Sequence, residues 1–278
     1  MNTAHRSMLR AGSASAVLLA VALLSTCAMA APVAPPAARS ELAPTGKLRV
    51  GLLVMNRAYV TKIDPTGEWQ GIAVDIGREL ARQLGVPFEP IGYKFVPELL
   101  AGAKAGEWDV AFIGVDPSRV TEMDFTAPYL EADNTYLVLT NSPIRKVDDA
   151  DRPGNRIAVT QGATQDLVLS RMLKHAEVVR VPTVPTVGVE LLRSGNVHAL
   201  AANYQALVQL AAKTPGTRVA EGSVYGTPQA LAVAKGRPAG AAYAREFIEY
   251  AKASGLVRQA VQHANLPGVT VVPPAANK

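Results

Sequence analysis

The chain has 278 residues, of which 49% are hydrophobic and 18% are charged, and its formal net charge at pH 7 is +5. This balance is typical of globular proteins and excludes a disordered chain. Because the cationic residues are scattered and only 5% of residues are aromatic, the sequence offers neither a phosphate-binding stripe nor a base-stacking surface, and we expect no nucleic-acid partner.

Residues 1–30 have the features of a secretory signal peptide. Arg6 and Arg10 precede an apolar run at 16–24, and an A-x-A cleavage site ends at Ala30. The run is shorter than the roughly 20 residues that a membrane-spanning helix needs. Cleavage after Ala30 predicts a periplasmic protein of net charge +3, because the two arginines of the signal are subtracted from +5.

The only cysteine of the sequence, Cys27, leaves a second possibility open. It ends a segment that resembles a lipoprotein box, in which its acylation would tether the protein to a membrane. Thr26 is bulkier than the Gly or Ala usual before such a cysteine, which favours cleavage after Ala30. The mature chain would then have no disulfide, as expected of an exported domain held together by its core.

The first lobe is predicted from the pattern that follows the signal. Residues 31–46 are rich in Pro and Ala without periodicity, and predict a flexible leader. Strands and helices then alternate, which indicates right-handed βαβ units on a parallel sheet. The predicted elements are a strand at 47–54, an amphipathic helix at 71–85, a strand at 86–93, a helix at 96–105, and strands at 109–113 and 134–140.

A second α/β run follows the turn-rich segment 142–155. Its predicted elements are strands at 156–160, 177–181 and 198–202 and helices at 164–174, 186–194 and 204–212. A last strand at 229–236 and a helix at 239–254 are too few for a third domain, so we expect them to return to the first lobe.

The predicted fold class is therefore α/β with two lobes. Residues 47–138 together with 228–278 form lobe 1, and residues 139–227 form lobe 2. Two extended segments, near 136–140 and 227–234, both cross between the lobes. Paired crossings of this kind form a hinge.

The segment DVAFIGVDPSR, residues 109–119, ends an apolar strand in an Asp-Pro turn that delivers one arginine. Ligands of open α/β sheets bind beyond the carboxyl ends of the strands, where Arg119 is predicted to lie. Asp116 is expected to cap a short helix with Pro117 in its first turn. The alternative is that Arg119 is a solvated surface arginine.

The segment TQGATQD, residues 160–166, occupies the equivalent place in the second lobe. Gly162 and Ala163 are small enough to let a ligand approach the main chain, and free amides at a helix start attract negative charge. The alternative is that Thr164 merely caps the helix. The spacing matches neither of the common nucleotide-binding fingerprints.

The sequence resembles the bacterial extracellular solute-binding proteins of the amino-acid-binding type, which serve ABC importers. The resemblance covers most of residues 46–264 and rests on the segments GKLRVG, GIAVDIGRELARQLGV, LLAGAKAGEWDVAF, SRVTEMDFTAPYL and RIAVTQGATQD. It implies a two-lobed periplasmic-binding-protein-like (type II) fold with two crossover hinge strands. It also implies a monomer that closes on a small carboxylated solute and delivers it to the membrane permease of an importer.

The resemblance implies roles for particular residues. Arg119 matches the arginine that holds the ligand carboxylate, and it is helped by Thr164 and the helix start after Ala163. An aromatic at Tyr59 packs on the ligand. The same resemblance predicts that the cleft is lined from both lobes.

Three positions depart from the family pattern. Gly114 and Asp116 stand where hydroxyl side chains are expected, and Asn203 stands where amino-acid binders carry an aspartate for the ligand ammonium. An amide supplies no negative charge to offset desolvation of an ammonium group. The ligand therefore either lacks a free amino group or finds its counter-charge elsewhere, for instance at Asp116. The alternative for Asn203 is a helix cap that touches no ligand.

These observations favour a binding protein over an enzyme. His175, His198 and His263 are isolated and no G-x-S-x-G occurs, so we expect no catalytic residues, no metal site and no cofactor. Fold alone does not separate two alternatives, a periplasmic cyclohexadienyl-dehydratase-like enzyme and a sensor-type binding domain. The dehydratase needs an acid-base group, for which Asp116 is the candidate.

Overall fold

A computed structural model of the protein describes residues 30–276. The predicted signal peptide and Cys27 lie outside the described residues, apart from Ala30. The strands are β1 (Leu48–Leu53), β2 (Lys62–Ile63), β3 (Trp69–Gln70), β4 (Phe88–Tyr93), β5 (Val110–Gly114), β6 (Met123–Phe125), β7 (Leu130–Leu139), β8 (Arg156–Thr160), β9 (Glu177–Val181), β10 (Ala199–Asn203), β11 (Thr217–Val219), β12 (Tyr225–Ala234) and β13 (Val269–Val271). The helices are α1 (Pro36–Leu42), α2 (Ile72–Leu84), α3 (Val96–Lys104), α4 (Thr164–Met172), α5 (Val189–Arg193), α6 (Tyr204–Lys213), α7 (Pro238–Ala253) and α8 (Leu256–Ala264).

The predicted alternation of strands and helices is confirmed in both halves of the chain. Strand β7 begins at Leu130, earlier than expected, and a π-helical turn at Val184–Gly188 precedes α5. Gly255 ends α7 in the left-handed conformation, as its position predicts, but the chain then forms α8, which the sequence analysis does not anticipate.

Within residues 30–276, eleven strands form one continuous sheet, whose main path runs β4-β1-β5-β12-β7-β10-β8-β9. Strands β4, β1 and β5 are parallel to one another, and so are β10, β8 and β9. Strands β12 and β7 lie between these two blocks and are antiparallel to each other and to their neighbours in the path. The sheet therefore consists of two parallel blocks joined by two antiparallel crossing strands.

Each crossing strand changes partner at a polar residue. Gln229 of β12 pairs with Gly114 of β5 and with Leu130 of β7. Asn134 of β7 pairs with Tyr225 of β12 and with Asn203 of β10. Both Gln229 and Asn134 are buried, which places polar side chains where the two blocks meet.

Separate hydrophobic cores lie on the two sides of the crossing. The core of the first half contains side chains from α1 to β7 and from β12 to α8. The second half, from β7 to β12, has a core on each face of its sheet, so Tyr136 and Val138 belong to one core and Leu137 to the other. Alternation between two covered faces explains why its strands read as nearly continuous apolar runs.

The prediction that residues 31–46 form a flexible leader is wrong for part of this segment, because Pro36–Leu42 form the helix α1. Ala38 and Leu42 are fully buried against the first core, and the Glu41 carboxylate accepts a hydrogen bond from the backbone N–H of Gly240 at the start of α7. A Cβ atom at Gly240 would lie 2.8 Å from Leu42, so the absence of a side chain there permits the close approach. The helix is stabilised by a distant partner, which local composition does not reveal.

The packing of α1 predicts a measurable loss of stability for Leu42→Ala. Truncation of a fully buried leucine costs about 2 to 5 kcal/mol of unfolding free energy through lost burial and the cavity left behind. Urea unfolding of the mature chain measures it. The control is Val33→Ala in the same segment, where the side chain is 90% exposed and the change stays within about 0.5 kcal/mol. Equal stabilities of the two variants would contradict a docked α1.

Candidate functional site

The turn after β5 directs Arg119 back toward the end of its own strand. Asp116 caps the short 3-10 helix Pro117–Arg119, as predicted, and its carboxylate accepts hydrogen bonds from the N–H and hydroxyl of Ser118 at 2.9 and 2.6 Å. This cap fixes the backbone from which Arg119 projects. The Arg119 Nη1 group donates to the carbonyl of Gly114 at 2.7 Å.

Arg119 is a buried cation, with only 3% of its surface exposed. The alternative of a solvated surface arginine is therefore wrong. Nη1 also donates to the hydroxyl of Thr164 at 3.3 Å, so both acceptors that the guanidinium reaches are uncharged. Nη2 is buried and has no hydrogen-bond partner among residues 30–276. Burial lowers the pKa of Arg119, whereas nearby Tyr59 and Asp116 act in the opposite direction; an arginine nevertheless remains charged.

Asp116 lies outside the cavity described below, which corrects the expectation that it faces the ligand. Its side chain is 1% exposed, and Oδ2 accepts from Arg171 Nη2 of α4 at 2.7 Å. Burial raises the pKa of Asp116, but the hydrogen bonds from Ser118 and Arg171 outweigh this effect and lower it below the ordinary value. The carboxylate is thus committed to the turn and to a contact between the two halves.

The start of α4 faces Arg119 from the second half. Ala163, not Thr164, is the residue before the first helical turn, so the simple capping role considered for Thr164 is wrong. The hydroxyl of Thr164 instead accepts the hydrogen bond from Arg119. Gly162 adopts a positive φ of 72°, which its lack of a side chain permits, and its N–H donates to Asp166 at 3.0 Å. The first N–H groups of α4 have no partner within the helix.

A cavity of about 610 Å³ lies between the halves at the crossing strands. Five of the seven predicted site residues line it: Tyr59, Gly114, Ala163, Thr164 and Asn203. Arg119 lies directly behind its wall, in contact with the two wall residues Gly114 and Thr164. The structure therefore brings six predicted residues together and leaves Asp116 aside.

Asn203 caps α6, as one of the two interpretations predicts. Its Oδ1 accepts a hydrogen bond from the N–H of Ala206 at 2.9 Å, while Nδ2 donates to Oδ1 of Asn56 at 3.3 Å. The cap does not remove Asn203 from the site, since the residue also lines the cavity.

A set of amide side chains in the cavity wall was not predicted from the sequence. Gln229 accepts a hydrogen bond from the hydroxyl of Tyr59, and Asn134 accepts one from Gln165 Nε2 at 2.6 Å. Burial raises the pKa of Tyr59, which keeps its hydroxyl a donor. The available signal was one amide residue in each crossing segment, Asn134 in one and Gln229 in the other.

Residues 30–276 contain no group of three or more His, Cys, Asp or Glu side chains placed to hold a metal ion. None of the helices described here has the length and apolar character required to cross a membrane.

The model of the bacterial extracellular solute-binding proteins, family 3, matches residues 48–263. The chain belongs to this family. It is 23% identical over 213 residues to the ABC transporter glutamine-binding protein GlnH of Bacillus subtilis strain 168, a match that covers 75% of this chain and 77% of GlnH.

Solved structures of amino-acid-binding proteins have the same fold. An amino acid ABC transporter substrate-binding protein from Streptococcus pneumoniae, bound to L-arginine, matches with a TM-score of 0.66 and 21% identity over 84% of this chain and 99% of that chain. The ancestral amino-acid-binding protein AncCDT-1, a precursor of cyclohexadienyl dehydratase, matches with a TM-score of 0.65 and 21% identity. This match covers 81% of this chain and 98% of AncCDT-1. These similarities confirm the two-lobed α/β fold of a solute-binding protein with two crossing strands. The exact residues that bound the two lobes stay a prediction.

The contact between Asp116 and Arg171 predicts a pH-dependent stability difference for Asp116→Asn, because asparagine also caps helices but carries no charge. A lowered folded pKa means that the carboxylate stabilises the fold above its unfolded pKa of about 3.9, and that this contribution is lost as the pH falls through the folded value. Arg171 is half exposed, so we expect a loss of only about 1 kcal/mol at neutral pH.

Urea unfolding at pH 7 and in acid checks this expectation. The wild type and Asp116→Asn should differ at pH 7 and converge at low pH, and Arg171→Gln should reproduce the neutral-pH loss. A difference that persists unchanged in acid would show that the charge is not its origin.

Proposed function

We propose that this protein captures a small carboxylated solute in the cavity between its two halves and delivers it to an ABC importer. The observation that carries the proposal is the buried Arg119 guanidinium, whose Nη2 has no partner in the described part of the chain and which contacts the cavity wall. A buried cation with a free donor is costly unless an anion compensates it. A carboxylate that enters the cavity is the compensating group.

In this proposal the carboxylate lies between Arg119 and the start of α4. It replaces the hydroxyl of Thr164 as a partner of the guanidinium and accepts from free N–H groups of the helix. Charge-assisted hydrogen bonds of this kind contribute roughly 1.5 to 3 kcal/mol each. A few of them support micromolar binding, which corresponds to about −8 kcal/mol.

Closure of the two halves couples capture to delivery. Strands β7 and β12 connect the halves and act as the hinge, and the contacts Arg119–Thr164 and Asp116–Arg171 both join one half to the other. A carboxylate held by Arg119 and α4 replaces the first of these contacts by stronger, charge-assisted hydrogen bonds between the halves, and therefore favours the closed arrangement. The importer distinguishes the closed shape from the open one.

The sequence and the similar proteins support an exported location and an importer partner. The signal-like residues 1–30 direct the chain to the periplasm, where the mature protein acts as a monomer, with acylation at Cys27 as the alternative. The name of GlnH and that of the Streptococcus pneumoniae protein both include an ABC transporter. A delivery role for this chain extends that shared description.

A dehydratase function remains the second candidate, because AncCDT-1 is a precursor of cyclohexadienyl dehydratase. Such chemistry needs an acid-base group over the substrate. Asp116 is paired with Arg171 outside the cavity, and among the described residues that line the cavity Glu98 is the one carboxylate. Product formation from prephenate or arogenate would favour the enzyme, and reversible binding without turnover supports the binding protein.

Ligand capture is first tested by a thermal-shift panel of amino acids, keto acids, dicarboxylates and aromatic acids. A ligand present at about 100 times its Kd stabilises the folded state by about 2.7 kcal/mol, which raises the melting temperature by a few degrees. Carboxylated compounds should produce shifts, and the matching amides or esters should not.

Arg119→Ala is expected to weaken the best ligand of that panel at least about tenfold, because the carboxylate would be buried without its charged partner. Isothermal titration calorimetry measures the change. Arg82→Ala is the matched control, since Arg82 is an exposed arginine of the same half that pairs with Glu79 outside the cavity. Unchanged affinity in Arg119→Ala would refute the role given to Arg119.

A further inference from the structure

The amide side chains of the cavity define the ligand more closely than its carboxylate does. We infer that the solute is an organic acid anion whose second polar group is a hydrogen-bond-accepting oxygen, as in 2-oxo and 2-hydroxy acids, in place of an ammonium group. This inference rests on the proposed function, because it takes the carboxylate at Arg119 as given.

Asn203 presents a donor, not an acceptor, to the cavity. Its Oδ1 accepts from the backbone N–H of Ala206 at 2.9 Å, and only an oxygen can occupy that position. The orientation of the amide is therefore fixed by the main chain. Its Nδ2 donates one hydrogen to Asn56 and retains a second.

Asn56 is oriented in the same way. Its Oδ1 accepts from the backbone N–H of Ala58 at 3.0 Å as well as from Asn203, so its Nδ2 is the group that remains. That nitrogen has no hydrogen-bond partner in the part of the chain that the structure describes, and both residues line the cavity. A ligand beside this pair meets N–H groups that an ammonium cannot satisfy and a keto or hydroxyl oxygen can.

Other side-chain oxygens of the wall are already accepting hydrogen bonds. Gln229 accepts from Tyr59, Asn134 accepts from Gln165, and the hydroxyl of Thr227 accepts from Asn134 at 2.7 Å. An ammonium group needs several acceptors when it leaves water. On the two crossing strands, the wall offers it only side-chain oxygens that already accept a hydrogen bond.

The charge of the site points the same way. Arg119 contributes one buried positive charge at the cavity wall. The described residues that line the cavity include one carboxylate, Glu98, and one cation, Lys94, and these two formal charges cancel. Glu98 is exposed, and its Oε2 accepts from the backbone N–H groups of Lys94 and Phe95 at the start of α3. The site therefore balances a ligand of net charge −1 better than a zwitterion.

Calorimetry with matched ligand series tests the inference on the full mature chain. The three series are 4-methyl-2-oxopentanoate, 2-hydroxy-4-methylpentanoate and leucine; phenylpyruvate, phenyllactate and phenylalanine; and pyruvate, lactate and alanine. In the series that fits best, we expect the oxo or hydroxy acid to bind at least tenfold more tightly than the amino acid. Equal or tighter binding of the amino acid would overturn the inference and leave the proposed function intact. Failure of every carboxylated compound to bind, in these series and in the thermal-shift panel, would contradict the proposed function itself.

Asn203→Asp supplies the second arm of the test. Aspartate retains the cap of α6 but replaces the amide donor by a carboxylate, so we expect at least tenfold weaker binding of the oxo or hydroxy acid and tighter binding of the amino acid. Asn203→Ser retains a cap without charge and should weaken the oxo acid without improving the amino acid. Equal melting temperatures confirm that the variants fold. An unchanged preference in Asn203→Asp would overturn the inference.

Glu98→Gln tests whether the carboxylate of Glu98 pairs with an ammonium group of the ligand. If Glu98 provides no counter-charge to the ligand, this variant leaves the preference between oxo and amino acid unchanged. A specific loss of amino-acid affinity would show that the carboxylate of Glu98 receives an ammonium group, and it would count against the inference.

Discussion

The site is organised around one buried charge, the guanidinium of Arg119. Its side chain is anchored by the carbonyl of Gly114 and its turn by the cap at Asp116, so its position is set before any ligand arrives. Both of its acceptors are uncharged, and Nη2 is left without one among residues 30–276. In a low-dielectric interior such a cation attracts an anion strongly, because there is little water to screen it.

The crossing strands explain why this charge lies at a boundary between two halves. Strands β7 and β12 pass from one parallel block to the other, and their polar residues Asn134 and Gln229 stand where the partners change. These amides, together with Tyr59, form a polar floor for a cavity that is otherwise largely apolar. The same strands connect the core of the first half with the two cores of the second half.

Local sequence patterns predict the elements well, because covered strands and amphipathic helices leave periodic signals that do not depend on distant partners. The caps at Asp116 and Asn203 were also predictable, since each precedes a helix start. Long-range partners were not. Helix α1 depends on α7, Asp116 on Arg171, and the orientation of Asn203 is completed by Asn56, 147 residues away. A residue type therefore indicated the site, but the direction of its donors and acceptors required the folded chain.

A crystal structure of the protein with its tightest carboxylate ligand tests the central claim most directly. The account predicts a ligand carboxylate oxygen about 2.7 to 2.9 Å from Nη2 of Arg119, with the hydroxyl of Thr164 displaced from the guanidinium. A ligand whose carboxylate lies elsewhere in the cavity, with the Arg119–Thr164 contact intact, would contradict it.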